Sequence, residues 1–123
     1  MKILLVEDEE ILIKVMKEKL EKEKFTVQLV SDGAAVVPGA KSFNPDLILM
    51  DIVMPKKDGL TVLAELKADA DLQNIPVIML SNLAEDENIK KALSLGAVDY
   101  LVKTQHPIKE VVEKIKNYML KAK

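Results

Sequence analysis

The residues of this chain that could do chemistry together are the acidic pair Glu7-Asp8, then Asp51, Ser81 and Lys103. Three carboxylates gathered in one place repel one another unless something positive joins them. Oxygen ligands with no histidine or cysteine among them select Mg²⁺, which takes one or two carboxylates, several waters and phosphate oxygens. Lys103 would add a second positive charge able to hold a phosphoryl oxygen, and the Ser81 hydroxyl can donate to another. The sequence has no glycine-rich phosphate loop for a nucleotide and no evident general base. That pattern suits phosphoryl transfer onto Asp51 itself, with the carboxylate as nucleophile.

Whether these residues meet depends on the elements that carry them, and each one follows an apolar run. Ile3 to Val6 leads into Glu7, the run within Asp46 to Met50 into Asp51, Ile75 to Leu80 into Ser81, and Tyr100 to Val102 into Lys103. Such runs read as strands buried on both faces, the kind found in parallel sheets covered by helices. Phe25 to Val30, closed by Ser31-Asp32-Gly33, supplies one more strand. Between the strands the apolar spacing is helical, as in Ile11, Leu12, Val15, Met16 and Leu20, in Ile89, Ala92, Leu93 and Gly96, and in Ile108, Val111, Val112, Ile115 and Met119. The segment Ala34 to Phe43 is helix-like in part, and Pro38-Gly39 within it predicts a helix that is short, bent or mobile.

Strict alternation of strand and helix implies an α/β fold, a doubly wound five-stranded parallel sheet with right-handed crossovers. In the order 2-1-3-4-5 the crevice falls between strands one and three, where Glu7, Asp8 and Asp51 would converge. Each residue also has a plainer use. An acid closing a strand serves as a turn or cap residue, Ser81-Asn82 as a cap before a helix, and Lys103 as a solvated edge charge. Finding all of them on one sheet edge is what favours the chemical reading.

At 123 residues the chain is expected to form one domain, 1–123, without an output domain. Its 18 basic and 20 acidic residues leave a formal charge of −2, which provides no field for general nucleic-acid attraction. There is no cysteine, which removes thiol chemistry and cysteine-bound zinc and agrees with a reducing cytosol. No apolar stretch approaches a signal-peptide core or a membrane span, so the expected location is cytoplasmic, with no membrane partner.

At these residues the chain resembles the receiver domain of bacterial two-component response regulators, of the stand-alone, chemotaxis-regulator-like kind. The resemblance covers essentially all of the chain. It rests on the opening strand with Glu7-Asp8, on Asp51-Ile52-Val53-Met54-Pro55 running to Asp58-Gly59, on Ser81, on Gly96-Ala97, and on Tyr100 three residues before Lys103. It implies the flavodoxin-like (βα)5 fold, with Asp51 as phosphoacceptor and Asp8 as a direct Mg²⁺ ligand. Glu7 would act on the metal through water, and the Val53 main-chain carbonyl would be a further ligand. Ser81 and Lys103 would bind the phosphoryl group.

The resemblance also implies partners. A sensor histidine kinase or phosphotransfer protein would donate from a phosphohistidine, and a downstream effector would read the result. The protein would be a monomer or a phosphorylation-dependent dimer. Movement of Ser81 and rotation of Tyr100 would remodel the surface of the fourth helix, fifth strand and fifth helix, driven by an added charge of roughly −1.5 to −2. Residues three apart on a strand point to opposite sides, which separates Tyr100 from Lys103.

Several positions depart from the family pattern. Thr104 follows Lys103 where many receivers have proline, often with a cis peptide, and a cis bond there is not assumed. Asn82 stands where a smaller residue is usual. His106, preceding Pro107, reads as an exposed residue entering the fifth helix. Val53 and Leu83, each two residues past a site residue, are apolar, which predicts slow self-dephosphorylation because neither can orient a water. Two alternatives stay open. One is a phosphorylation-independent flavodoxin-like interaction module. The other is a small Mg²⁺-dependent aspartyl phosphatase, disfavoured because Val53 occupies the place of its second acid.

Overall fold

The computed structural model describes residues 1–121. Its sheet is made of β1 (Lys2–Val6), β2 (Thr26–Val30), β3 (Leu47–Met50), β4 (Val77–Ser81) and β5 (Asp99–Val102). All neighbouring pairs are parallel and the order is β2-β1-β3-β4-β5, as the alternation of the sequence predicts. The intervening helices are α1 (Glu10–Lys22), α2 (Val36–Phe43), α3 (Gly59–Ala68), α4 (Asp86–Ser94) and α5 (Ile108–Lys121). Among the described residues no helix is long and apolar enough to cross a membrane.

The pleat of the strands divides the core into two layers. Ile3, Leu5, Leu47, Leu49, Ile78, Leu80 and Leu101 face α1 and α5, meeting Met16, Leu20, Val111, Val112 and Ile115. The alternating residues Leu4, Val6, Ile48, Met50, Met79 and Tyr100 face α2, α3 and α4, meeting Val36, Ala40, Val62, Leu63, Leu66 and Ala92. Every residue of β3 and β4 is buried, because both faces of a central parallel strand are covered. This is why those strands read as unbroken apolar runs rather than as alternating ones.

The Pro38-Gly39 segment is resolved by an offset in the helix start. A single 3₁₀ turn at Gly33–Ala35, capped by the Asp32 carboxylate accepting from the Ala35 amide at 3.0 Å, leads directly into α2. Pro38 then falls in the first turn of α2, where amides have no intrahelical acceptor and proline removes nothing. The helix is short, at eight residues, and ends on Asn44 in the left-handed conformation. The strands also begin slightly away from their expected starts, with β3 at Leu47 rather than Asp46 and β4 at Val77 rather than Ile75. Pro76 donates nothing, but its carbonyl accepts from the Ile48 amide at 2.9 Å, so the ladder starts one residue early on that side.

The loop after β3 is held tightly against the sheet. Asp58 caps α3 by accepting from the Thr61 amide at 3.0 Å, and the Gly59 amide donates to the Ile52 carbonyl at 2.7 Å. A Cβ at Gly59 would fall on the Asp51 main-chain oxygen, so only glycine fits this approach. That constraint explains the Asp58-Gly59 pair read from the sequence.

Candidate functional site

The site is built from strand ends. Glu7, Asp51 and Lys103 are each the first residue after β1, β3 and β5, and Ser81 is the last residue of β4. Main-chain bonds fix these exits. The Glu7 amide donates to the Val30 carbonyl at 3.0 Å, Asp51 to Val6 at 3.1 Å, and Lys103 to Ser81 at 2.9 Å. Glu7, Asp51 and Ser81 are the buried polar residues of the molecule among those described.

Glu7, Asp8 and Asp51 converge as expected, each offering a carboxylate oxygen within 4.8 Å of the others. Oxygen-only donors of this kind fit a hard divalent cation held with water and a phosphate group. The Asp51 carboxylate is already oriented, because its Oδ1 accepts from the Ile52 amide at 2.7 Å and the Val53 amide at 3.4 Å. Its Oδ2 accepts from Lys103 Nζ at 2.8 Å. Glu7 turns one oxygen toward the amides of Asp8 and Glu9, both at 3.2 Å, and the other toward Lys103 at 3.0 Å.

Lys103 is therefore no solvated edge charge. Its side chain is 11% exposed and lies among acids. Burial taken alone pulls its ammonium down, but the hydrogen bonds and charges of Asp51 and Glu7 outweigh that and hold it above the ordinary lysine range. Burial raises the Glu7 carboxyl, with the Asp51 charge adding to the rise and Lys103 opposing it. The charges in the site are thus mutually dependent, and removing any one leaves another uncompensated.

Ser81 Oγ accepts from the Leu83 amide at 3.2 Å, which leaves its hydroxyl proton available to an incoming oxygen. Tyr100 points inward and its hydroxyl donates to the Leu83 carbonyl at 2.6 Å. Burial pushes its phenol up, so it stays a donor at neutral pH. Leu83 is consequently held at both its amide and its carbonyl, by Ser81 and by Tyr100. The expected separation of Tyr100 from Lys103 holds, since Tyr100 lies in the layer facing α4 while Lys103 reaches the start of α1.

Asp8, Glu9, Asp51, Val53, Ser81, Asn82, Leu83 and Lys103 line a cleft of about 300 Å³. Val53 is 62% exposed at its mouth. Two residues differ from the sequence reading. His106 is half-buried rather than exposed, its Nδ1 facing Glu110 at 3.9 Å. Glu9, which belongs to the acidic run Glu7 to Glu10 where such charge ordinarily serves the dipole of the helix that follows, instead contacts Lys103 at 3.3 Å. Among the described residues no peptide is cis, and that includes the bond from Lys103 to Thr104.

The sequence matches the family described as response regulator receiver domain over residues 3–116. The chain belongs to the receiver domain family. It is 34% identical over 122 residues to the transcriptional regulatory protein BaeR of Escherichia coli, a match that takes in 99% of this chain and 49% of BaeR. It is 36% identical over 102 residues to the chemotaxis protein CheY of Halobacterium salinarum, with 82% of each covered. This receiver domain spans about half the length of BaeR and of the other regulators it first matches. In structure it is similar, with a TM-score of 0.83 and 31% identity over 94% of each chain, to the receiver domain of the Pseudomonas aeruginosa sensor kinase PA1611, which holds a magnesium ion in its active-site cleft. The acidic cluster of this receiver domain suits a divalent metal in the same way.

Proposed function

We propose that this receiver domain is a cytoplasmic phosphorylation switch that takes a phosphoryl group on Asp51 from the phosphohistidine of a partner kinase or phosphotransfer protein. The observation that carries the reading is the Asp51 carboxylate, fixed by two backbone amides and Lys103 on the wall of the cleft. A carboxylate oxygen forms the new P–O bond as the donor's P–N bond breaks and the imidazole leaves with a proton from solvent. Mg²⁺, held by Asp8, Asp51 and the Val53 carbonyl with Glu7 acting through water, would supply positive charge to the phosphoryl oxygens. Lys103 takes one of those oxygens, and Ser81 donates its hydroxyl proton to another.

The added charge then biases two arrangements of the segment after β4. Ser81 and Tyr100 both act on Leu83, so a Ser81 hydroxyl drawn to the phosphoryl group alters the peptide to which Tyr100 donates. The surface of α4, β5 and α5 would carry that change to an effector. Val53 and Leu83 line the cleft and offer no polar group to a water, which supports a long-lived phosphoryl state.

The test is mass spectrometry with acetyl phosphate and Mg²⁺. An increment of one phosphoryl group that disappears in Asp51→Asn is expected, and no increment with any donor would favour a phosphorylation-independent module. In the same assay Val53→Asn with Leu83→Glu should shorten the phosphoryl lifetime, and an unchanged lifetime would remove the role given to those side chains.

A further inference from the structure

Glu9 is the N-cap of α1, with φ −82° and ψ 109°. Short polar side chains in that position, Ser, Thr, Asp or Asn, accept from an amide of the first helical turn. The Glu9 carboxylate makes no such bond. Its Oε2 instead reaches Lys103 Nζ at 3.3 Å, joining residues 94 apart. The carboxylate is thus free of its own helix and engaged across the cleft.

Lys103 already has Asp51 at 2.8 Å and Glu7 at 3.0 Å. An ammonium has three N–H donors, and here three carboxylates surround it. A phosphoryl oxygen arriving at Asp51 must therefore displace one of them. Until its bond to phosphorus forms Asp51 keeps its charge, so as a donor approaches, leaving either Glu7 (2% exposed) or Asp51 (7%) unpaired would strand a buried charge. Glu9 has the longest contact and is 53% exposed, so water replaces its partner at little cost.

We propose that Glu9 is a positioning residue, which holds Lys103 at the rim of the cleft and gives it up when a phosphoryl oxygen arrives. The proposal rests on the reading of Asp51 as phosphoacceptor. Glu9 opposes an anionic donor twice, by occupying an N–H that the phosphoryl group needs and by placing a negative charge beside its path. It keeps Lys103 in place before phosphorylation and raises the threshold for small anionic donors. A partner bringing its own cation to the cleft mouth would draw Glu9 away and release the lysine.

The experiment compares the whole chain with Glu9→Gln and Glu10→Gln. Glu10 is the next residue, exposed at the same helix end, and its substitution removes the same charge without touching the Lys103 pairs. Affinity for beryllofluoride in the presence of Mg²⁺ is read by fluorine NMR, and the Lys103 side-chain resonance is followed with labelled lysine. Glu9→Gln should bind roughly two- to fivefold more tightly than wild type, the range expected of one half-exposed ion pair. Glu10→Gln should gain less than half of that. The lysine resonance should shift in free Glu9→Gln and coincide with wild type once beryllofluoride is bound. Equal gains in the two variants, or no gain in Glu9→Gln, would overturn the proposal and leave Asp51 as acceptor untouched. Wild type that takes neither beryllofluoride nor a phosphoryl group from acetyl phosphate would overturn both.

Discussion

Lys67 and Lys103 are both withdrawn from water, at opposite ends of the same sheet, and their ammonium groups respond in opposite directions. Lys67, in the last turn of α3, donates to the Gln73 and Ile75 carbonyls at 3.1 and 3.0 Å, beside the amino end of β4. Its stem lies against Gly96, and burial lowers its pKa. Lys103, at the carboxyl end of β5, meets carboxylates and is raised despite its burial. Carbonyl dipoles accept the hydrogen bonds of Lys67 but carry no net charge to balance its ammonium, whereas the carboxylates around Lys103 do both. Lys67 therefore fastens a turn, whereas the buried carboxylates Glu7 and Asp51 lie at the end of the sheet where the chemistry is proposed.

The largest contrast should come from removing each cation. Lys103→Met is expected to cut phosphorylation by acetyl phosphate about 100-fold or more, as loss of a group that stabilises transferred charge does. It should also cost about 2–3 kcal/mol of stability in urea titrations without metal, because Glu7 and Asp51 are left facing each other. Lys103→Met phosphorylated at the wild-type rate would end the distinction between the two ends.

Next in size is the far end. Gly96→Ala places a Cβ 3.3 Å from the Lys67 stem at a φ of +108°, and a loss of about 1–2 kcal/mol is expected with phosphorylation within about twofold of wild type. Lys67→Met should lose about 1 kcal/mol by leaving the Gln73 and Ile75 carbonyls without their donor, again with phosphorylation unaffected. A large effect of either on phosphorylation would show the ends to be coupled.

The smallest effect is a slope with pH. The folded-state pKa of Lys67 lies below its ordinary 10.5, so the unfolded chain binds that proton more tightly. Stability from this group is missing below the lowered value and is gained as pH rises from there toward 10.5. The stability of wild type relative to Lys67→Met should thus increase as pH rises toward 10.5, measured by urea titration at several alkaline pH values. A flat difference would mean that Lys67 is not desolvated.

The sheet order, the strand exits and the meeting of Glu7, Asp8 and Asp51 were legible because each apolar run is local and the parallel topology leaves little choice of edge. Lys103 and Ser81 were legible for the same reason. Glu9 was not, since its partner lies 94 residues away and the run Glu7 to Glu10 looks like ordinary helix-start charge. The short α2 was expected from Pro38-Gly39, but the place of Pro38 in its first turn was not, because a proline there and one in mid-helix are the same letter until the helix start is known. The half-buried His106 depended on how its loop turns before α5. Lys67 carried no signal at all, because its acceptors are main-chain carbonyls that any residue could supply.

The placement of Glu7, Asp51, Ser81 and Lys103 at strand exits has a consequence for inheritance. Their immediate surroundings are the sheet and its own loops, and the outward faces of α2, α3 and α5 take no part in them. Those faces can drift, acquire a new listener or lose an old one while the reaction stays as it was. A gene copy of this chain could begin to answer a different question while keeping the proposed phosphoryl site intact.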